Sequence, residues 1–406
     1  MKQMAKLLAL LLSLMMLFSF AVSCQPAGEE NSKPAEISSE TASDEKSEVG
    51  SFSENSSFEA ESSSPVEEEG ITYPKKNKEG GYGLVTDEME QLCKPMVTGD
   101  FIQYWYCRDW DREKWLLHLN QLKAAGITSL VIQTTFNVSG GWINQTAFRH
   151  DLPTSAVSAG SDENPEFLGL LLSCIKETGM TLWIGLGMND AWWGEEIFQK
   201  DWCLKEAEFN NLVMNEIHRN YFDEYREQIA GFYWPYEMYV QNAGLEENWA
   251  AMINKNLDHL SALDPSVPMM FCPYISEWYV KDNDIQPEDD AKIWKELVKN
   301  TRFRDGDIFC PQDCMASVDI DIERVVAFLV GMKEAVESSD ADVKFWLDME
   351  NYASGSLGVF LAQLDVGSRL AENMVCFSYS HYYAPTANKG VYYHNAYAAY
   401  VKTLEE

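Results

Sequence analysis

Eight short apolar segments, separated by helical segments, constrain the fold of this chain more than any other feature of its sequence. The apolar segments span residues 100–105, 127–134, 180–188, 231–237, 267–272, 307–311, 343–347 and 374–378. Strands that alternate with helices form parallel sheets, because each helix carries the chain back to the start of the sheet. Eight is the number of strands that closes such a sheet into a barrel. The pattern therefore predicts an α/β fold of the (β/α)8 or TIM-barrel type.

Helix signals between the apolar segments support this prediction. Asp111 is placed to cap the start of the first helix, and Gly179 follows the end of the second. The predicted helices span residues 111–125, 165–178, 202–228, 246–263, 287–301, 320–336, 357–371 and 396–404. An open, doubly wound sheet is the competing fold, but it usually has a glycine-rich phosphate loop after its first strand. The sequence at 103–105 is Gln-Tyr-Trp instead, which favours the barrel.

The first residues have the features of a bacterial export signal. Two lysines precede an apolar stretch from residue 7 to residue 22, which is short for a membrane span. The sequence Ala-Val-Ser-Cys at 21–24 resembles a lipobox, which implies cleavage after residue 23 and a lipid on Cys24. An ordinary signal peptide with an incidental cysteine is the alternative. We expect a lipoprotein signal at 1–23 and a protein anchored to the cell envelope, with its domain outside the cytoplasmic membrane.

Residues 24–72 predict a disordered tether between this anchor and the barrel. The segment is rich in serine and holds 13 acidic residues against two lysines. Such a composition cannot bury enough apolar surface to fold, and its like charges extend the chain. The barrel domain is accordingly assigned to residues 73–406.

The net charge and the positions of the cysteines limit which partners the barrel domain can have. The formal net charge of the whole chain is −33, which excludes nucleic acid as a natural partner and is compatible with a neutral sugar. The cysteines follow no spacing that dictates a disulfide, and a lone Cys-Pro-Gln-Asp-Cys at 310–314 lacks the second pair of a zinc site. We expect neither a metal nor a cofactor, and the sequence predicts no oligomeric state.

Polar and aromatic residues gather where the predicted strands end. In a barrel these ends share one mouth, where barrel enzymes place their active sites. Carboxylates and amides can bind sugar hydroxyls, while aromatic rings cover the apolar faces of a sugar. We therefore expect an oligo- or polysaccharide at the mouth. The candidate substrate-binding residues are Gln133, Asp190, Trp193, Trp234, Tyr236, Tyr274, Gln312, Asp313, Asp348, Asn351 and His381.

Two glutamates have positions that suit hydrolysis of a glycosidic bond. Glu237 ends the fourth segment and Glu350 follows the seventh, so they can face each other across the mouth. Glycoside hydrolysis needs two carboxyl groups: one protonates the leaving oxygen, and the other attacks the anomeric carbon or activates water. Asp348 lies on the same side of its strand as Glu350, because side chains alternate along a strand. We expect at least one of Asp348 and Glu350 to be a functional residue.

Four stretches carry a resemblance to a known family. These are residues 115–133, the sequence Gly-Phe-Tyr-Trp-Pro-Tyr-Glu at 231–237, Pro-Gln-Asp at 311–313 and Asp-Met-Glu-Asn at 348–351. With them, residues 99–380 resemble a bacterial family of glycoside-hydrolase-like barrels known as domain of unknown function 4434. The arrangement is also similar to the retaining glycosidases with catalytic glutamates on strands four and seven. The resemblance implies Glu237 as acid/base and Glu350 as nucleophile, with Asp190, Asp313 and Asp348 as alternatives or as partners that tune their pKa values.

One departure from that superfamily bears on function. An asparagine usually precedes the acid/base and contacts the sugar 2-hydroxyl, whereas Tyr236 precedes Glu237 here. Gln133, Gln312 or Asn351 could substitute for it. The sequence thus predicts a glycoside hydrolase, with a retaining mechanism. The rival hypothesis is a surface lipoprotein that binds glycans without catalysis.

Overall fold

The computed structural model of the chain describes residues 89–152, 157–240, 244–386 and 390–405. The predicted signal segment, Cys24 and the tether lie outside these residues. The strands are β1 Gly99–Ile102, β2 Ser129–Ile132, β3 Phe136–Ser139, β4 Trp142–Thr146, β5 Val157–Glu163, β6 Thr181–Gly185, β7 Gly187–Asn189, β8 Ile229–Trp234, β9 Met269–Phe271, β10 Ile308–Phe309, β11 Lys344–Glu350 and β12 Asn373–Phe377.

Helices connect the strands along the whole described chain. They are α1 Tyr104–Cys107, α2 Arg112–Ala124, α3 Phe167–Thr178, α4 Lys200–Tyr225, α5 Leu245–Leu263, α6 Glu277–Asn283, α7 Pro287–Asn300, α8 Ile322–Glu337, α9 Leu357–Leu370, α10 Tyr379–Tyr382 and α11 Gly390–Thr403, with 3-10 turns at Asp190–Trp193 and Glu196–Phe198. Asp111 caps α2, since its side chain accepts a hydrogen bond from the Lys114 amide. Gly179 ends α3 with a φ of 67°, a left-handed conformation that favours glycine. Within the described residues, no helix is both long and apolar enough to cross a membrane.

Eight parallel strands close into a barrel, which confirms the predicted TIM-barrel fold. Their order around the barrel is β1, β12, β11, β10, β9, β8, β6 and β2. The fourth barrel strand is therefore β8, and the seventh is β11. Two further strands, β9 and β10, separate them, so their carboxyl ends lie across the mouth from each other.

The segment after β2 contains more structure than the sequence indicated. It holds β3, β4 and β5, which join β7 in a separate four-stranded sheet in the order β5, β4, β3, β7. The sequence predicted only a polar, glycine-rich insertion there, because these strands lack a continuous apolar run. Since β3 pairs with β7 directly after β6, the small sheet stands above the second and third barrel strands.

Apolar side chains fill the barrel interior and separate it from the helix layer. The interior group includes Phe101, Trp183, Tyr233 and Met270, and Trp346 packs against it. Gly231 makes room for this packing, because a Cβ atom there would lie 2.3 Å from Cζ3 of Trp183. A second, larger group of buried residues lies between the strands and the helices. The interior is therefore a packed core, and polar groups collect above it at the mouth.

All eight cysteines in the described residues have free thiols, and seven are buried. They behave as small apolar side chains.

Candidate active site

Glu350 ends β11 and faces the barrel interior, as strand alternation predicts. Trp346 packs in the interior, whereas Leu347 and Met349 belong to the outer core, so Asp348 and Glu350 share the inward side. The Glu350 side chain is only 5% exposed. Its Oε1 accepts a hydrogen bond of 3.4 Å from the Tyr352 hydroxyl, while its Oε2 has no protein partner. A buried carboxylate oxygen that lacks a hydrogen-bond partner can accept a hydrogen bond from a ligand.

Asp313 fixes the backbone that carries Glu350. Its Oδ1 accepts a 3.0 Å hydrogen bond from the Glu350 amide, and its Oδ2 accepts a 2.9 Å bond from Gln363 Nε2. The Ser354 hydroxyl closes the network by bonding both Gln363 Oε1 and the Glu350 carbonyl oxygen. Asp313 has no exposed surface, so the prediction that it contacts substrate is wrong. It positions Glu350 instead.

Glu237 lies three residues beyond β8, close enough to Asp348 and Glu350 for its charge to raise their pKa values. A hydrogen bond from the Gln312 side chain holds its carboxyl group. Its backbone carbonyl accepts a 3.1 Å bond from Nε1 of Trp192. The backbone of Gln312 also forms an isolated parallel β-bridge with that of Asp348. Gln312 therefore links the loop of Glu237 to β11. Glu237 is partly exposed.

Burial and mutual repulsion raise the pKa values of the mouth carboxyls. Burial raises the pKa of Glu237 to about 7, against the opposing hydrogen bond from Gln312. Burial, and then the charges of Asp313 and Glu237, raise the pKa of Glu350 to about 8. Burial also raises the pKa of Asp313 to about 7, and that of Asp348 lies well above its usual range. The cluster therefore retains protons near neutral pH.

Asp348 and Asn351 are further buried polar groups at the end of β11. Asp348 is 4% exposed and its Oδ1 has no protein partner. Asn351 is 2% exposed, and neither polar atom of its amide has a partner. Such orphaned buried groups are rare in proteins and suit contacts with a ligand or with water. Both residues thus remain candidates for substrate binding.

At the ends of β1, β2 and β12, glutamines and aromatic rings form a connected group. Gln103 Nε2 donates a 2.8 Å bond to Gln133 Oε1, and Trp105 Nε1 donates a 3.1 Å bond to Gln103 Oε1. The His381 ring stacks on Tyr106 at a centroid distance of 4.2 Å. Burial lowers the pKa of His381 to about 4, so its ring is neutral near pH 7. The predicted sites Gln133 and His381 therefore lie in one polar and aromatic wall.

A buried aspartate holds the short helix that presents His381. Asp100 Oδ1 accepts a 2.6 Å bond from the Tyr379 amide, and its Oδ2 accepts a 2.8 Å bond from the Ser380 amide. The Ser380 hydroxyl lies 2.8 Å from Nε2 of His118 on α2. Sequence reasoning missed this role, although an aspartate inside an apolar strand is itself a signal.

Two predicted substrate contacts do not reach the mouth. Trp234 is fully buried, and its Nε1 bonds Asn256 on α5. Tyr236 is also fully buried, and its hydroxyl bonds Glu206 on α4 at 3.1 Å. Both side chains face the helix layer, because they alternate with the inward-facing Tyr233 and Glu237. These two assignments are therefore wrong.

The remaining predicted residues lie at the rim. Asp190 is exposed and accepts a 3.0 Å bond from Asn137 of the small sheet. Trp193 is 49% exposed, and Tyr274 is partly buried. Other large aromatic side chains at the strand ends share this exposure, between 36% and 50%; they are Trp105, Trp142, Trp278, Tyr352 and Tyr382.

Two residues that matter to the site were not singled out from the sequence. Tyr239 packs on Tyr274 with a centroid distance of 5.0 Å. Gln363 is 1% exposed on α9 and supports Asp313. Tyr239 follows Glu237 by two residues, which is the spacing of one face of an extended chain. Gln363 could have been noticed as a polar residue within an apolar helix.

A cluster of acids raises the question of a metal ion. Among the described residues, no group of three or more His, Cys, Asp or Glu side chains has an arrangement that could hold one. No ion pair in this part of the chain involves Glu237, Asp313, Asp348 or Glu350 either. Within the described residues, no positive side chain therefore offsets the charge of these four carboxyl groups, in keeping with their raised pKa values.

Comparison with protein families finds one match over most of the chain. The family described as "Domain of unknown function (DUF4434)" matches residues 97–389. That span contains the whole barrel and all the mouth residues described above. No curated protein matches the sequence.

Solved structures with a similar fold are glycoside hydrolase barrels by their names. A protein of Bacteroides thetaiotaomicron VPI-5482, provisionally named an alpha-L-fucosidase, aligns with a TM-score of 0.60 and 14% identity, over 80% of this chain and 99% of its own. An endo-1,4-beta-D-mannanase of Thermotoga petrophila RKU-1 aligns with a TM-score of 0.49 and 12% identity, over 76% and 99%. The xylanase TsXylA of Thermoanaerobacterium saccharolyticum JW/SL-YS485 gives 0.42 and 13%, over 72% and 90%. At these sequence identities the similarity shows a shared fold and nothing more. The argument for that fold rests on the first structure, because the other two have TM-scores below 0.5.

Proposed function

This chain belongs to the DUF4434 family, and from that premise we propose that its barrel mouth hydrolyses glycosidic bonds with retention of configuration. The substrate is an oligo- or polysaccharide outside the cytoplasmic membrane. One observation carries the proposal: the carboxyl groups at the ends of the fourth and seventh strands lie close enough for the charge of Glu237 to raise the pKa of Glu350, and Glu350 keeps a buried oxygen without a protein partner. Retaining hydrolysis uses such a pair.

In the first step, Glu237 is the acid and Glu350 the nucleophile. The protonated Glu237 carboxyl gives its proton to the glycosidic oxygen while the bond from that oxygen to the anomeric carbon breaks. The free Oε2 of Glu350 forms a bond to the same carbon, and the leaving sugar departs as an alcohol. The reactive form has Glu237 protonated and Glu350 ionised. Because the pKa of Glu237 is about 7 and that of Glu350 about 8, this form is the minor one of the two singly ionised forms, and it is most populated between these two pH values.

In the second step, Glu237 acts as a base. Its carboxylate takes a proton from a water molecule whose oxygen bonds to the anomeric carbon. The ester bond to Glu350 breaks, Glu350 leaves as a carboxylate, and Glu237 regains its proton. Asp313 contributes by fixing the backbone of Glu350, and Gln312 by orienting Glu237.

The test compares Glu237→Gln and Glu350→Gln with wild type on a panel of glycans and on 2,4-dinitrophenyl glycosides. Both variants are expected to lose turnover of glycans by about 10²- to 10⁴-fold or more. Because 2,4-dinitrophenolate leaves without a proton, Glu237→Gln should retain the first step on that substrate, whereas Glu350→Gln should not. Asp340→Asn, an exposed carboxyl away from the mouth, is the matched control.

A second candidate function is glycan binding without catalysis, and the environment of Tyr236 favours it. The side chain at this position faces α4, so it cannot hold a sugar hydroxyl as an asparagine would. If wild type releases no sugar and both glutamine variants bind glycans as well as it does, the binding function replaces the hydrolase.

We further propose that the chain is exported and anchored by a lipid on Cys24, with residues 24–72 as a flexible tether. The support is the sequence pattern of residues 1–24 and the acidic, serine-rich composition that follows.

A further inference from the structure

We propose that the aromatic cluster of Tyr239, Tyr274 and Trp278 binds the sugar on the leaving-group side of the scissile bond. This assignment rests on the proposed hydrolase function and adds the direction in which a glycan lies across the mouth. It also makes the substrate a glycan with at least one sugar beyond the cleaved bond.

The three rings form a continuous surface at the rim. Tyr239 and Tyr274 pack with centroids 5.0 Å apart, and Tyr239 and Trp278 with centroids 5.9 Å apart. Trp278 on α6 is 50% exposed, and Tyr239 and Tyr274 are partly exposed. A large aromatic side chain with half its surface in water, supported by other rings, is the usual form of a sugar platform.

The cluster of Tyr239, Tyr274 and Trp278 lies next to Glu237, the proposed acid, and not next to Glu350, the proposed nucleophile. Tyr239 follows Glu237 by two residues, and the Tyr274 amide donates a 2.9 Å bond to the carbonyl of Met238. The charge of Glu237 is also among the causes that raise the pKa of Tyr274, after burial and Tyr239. Glu237 and the cluster therefore lie side by side.

A different aromatic group accompanies the nucleophile. The Tyr352 hydroxyl bonds Glu350, and the Tyr352 ring packs against Phe377 and Tyr382 at centroid distances of 6.0 Å and 5.9 Å. Phe377 in turn contacts His381, whose ring packs with Trp105. The mouth thus has two aromatic sides, one for each catalytic glutamate.

Reaction geometry assigns these two sides. The acid must contact the glycosidic oxygen, which joins the anomeric carbon to the leaving sugar, whereas the nucleophile approaches the anomeric carbon itself. The leaving sugar therefore lies on the side of the acid. The rings next to Glu237 receive it, and those next to Glu350 receive the sugar that becomes attached to the enzyme.

The experiment compares two substrates of the same sugar for Trp278→Ala. A disaccharide needs both sides of the mouth, while a glycosyl fluoride has no leaving sugar. We expect kcat/KM for the disaccharide to fall about tenfold, equivalent to about 1.4 kcal/mol, mainly through KM. The glycosyl fluoride should react within about twofold of wild type. Trp278→Phe should restore most of the loss, and Leu117→Ala, an exposed apolar residue on α2, should change neither rate.

Equal losses on both substrates, or no loss on the disaccharide, would overturn the assignment. The failure of the hydrolase proposal is a separate result, in which wild type cleaves neither substrate. In that case, titration of wild type and Trp278→Ala with the same disaccharide and longer oligosaccharides decides the matter. A tenfold weaker affinity of the variant supports the cluster as a sugar-binding surface, whereas equal affinity or no binding to wild type refutes it.

Discussion

Replacing Glu350, the proposed nucleophile, with its neutral isostere should stabilise the protein at alkaline pH. Glu350→Gln removes a charge from a side chain that is 5% exposed. An amide oxygen can still accept from the Tyr352 hydroxyl at the position of Oε1, and it can also accept from the Ser317 side chain, whose contact opposes the rise in the pKa of Glu350. The backbone contact with Asp313 also remains, since it involves the Glu350 amide.

The magnitude follows from the pKa of Glu350. Folding raises that pKa from 4.5 to about 8, mainly through burial. A carboxyl whose pKa is raised in the folded state binds its proton more tightly there, so stability falls as pH rises through the interval between the two values. At about 1.4 kcal/mol per pKa unit, the ionised Glu350 costs at most about 4 kcal/mol between pH 5 and pH 9. The variant is free of this cost.

Urea unfolding of both proteins at pH 5 and pH 9, followed by circular dichroism and fluorescence, measures the effect. The variant should be nearly as stable as wild type at pH 5 and more stable at pH 9, by between about 1 and about 4 kcal/mol. Asp340→Asn, which removes an exposed carboxyl, should follow wild type at both pH values. A stability difference between Glu350→Gln and wild type that does not change with pH would refute the reasoning.

Three further outcomes are expected. The pH profile of kcat/KM should have its maximum between pH 7 and pH 8, because the pKa values of the proposed acid Glu237 and the proposed nucleophile Glu350 are raised to about 7 and about 8. The fraction with Glu237 protonated and Glu350 ionised is largest between these values, falls at lower pH as Glu350 gains a proton and falls at higher pH as Glu237 loses its own; a maximum below pH 5 would contradict the assignment. Gly231→Ala should destabilise the fold by about 3 kcal/mol in urea unfolding, since its Cβ would overlap Trp183, whereas Gly358→Ala meets nothing closer than 3.9 Å and should be neutral. Cys24→Ser should move the full-length protein from the membrane fraction to the soluble fraction of the expressing cells, and Cys93→Ser should not.

The barrel could be predicted because its strands are apolar runs bounded by clear helix signals. Its strand boundaries were less accurate. The chain turns into α1 after Ile102, and β11 continues to Glu350 instead of ending at residue 347. Short parallel strands end where hydrogen bonding to neighbours ends, and that depends on register, which a single sequence does not contain.

The positions of Glu237 and Glu350 at strand ends could be predicted for a physical reason. A charged residue at the end of a buried strand is costly to bury, unless the strand ends at the polar mouth of the barrel. The same argument failed for Trp234 and Tyr236, because an aromatic ring is equally suited to a mouth and to the layer between strands and helices. Applying the alternation of strand residues from Glu237 backwards would have placed both rings outside the barrel.

The support around Glu350 was beyond the reach of the sequence. Gln363 and Ser354 meet Asp313 and Glu350 only because α9 packs back onto β11. Such contacts depend on the angle and offset of a helix on its strand. Residue pattern alone does not fix either quantity.

In the described part of the chain, no cation pairs with the mouth carboxyls, and this bears on which polymers the proposed function would admit. A polysaccharide that carries uronate or sulfate groups is repelled at long range by a chain of formal charge −33, and again at contact by the carboxyl cluster. Salt weakens the first repulsion, since the Debye length is about 8 Å at physiological ionic strength, but it acts little on charges inside a sheltered cavity. If the proposed function holds, we therefore expect neutral polymers to be preferred over polyanionic ones, and the preference to grow as pH rises and the mouth carboxyls ionise.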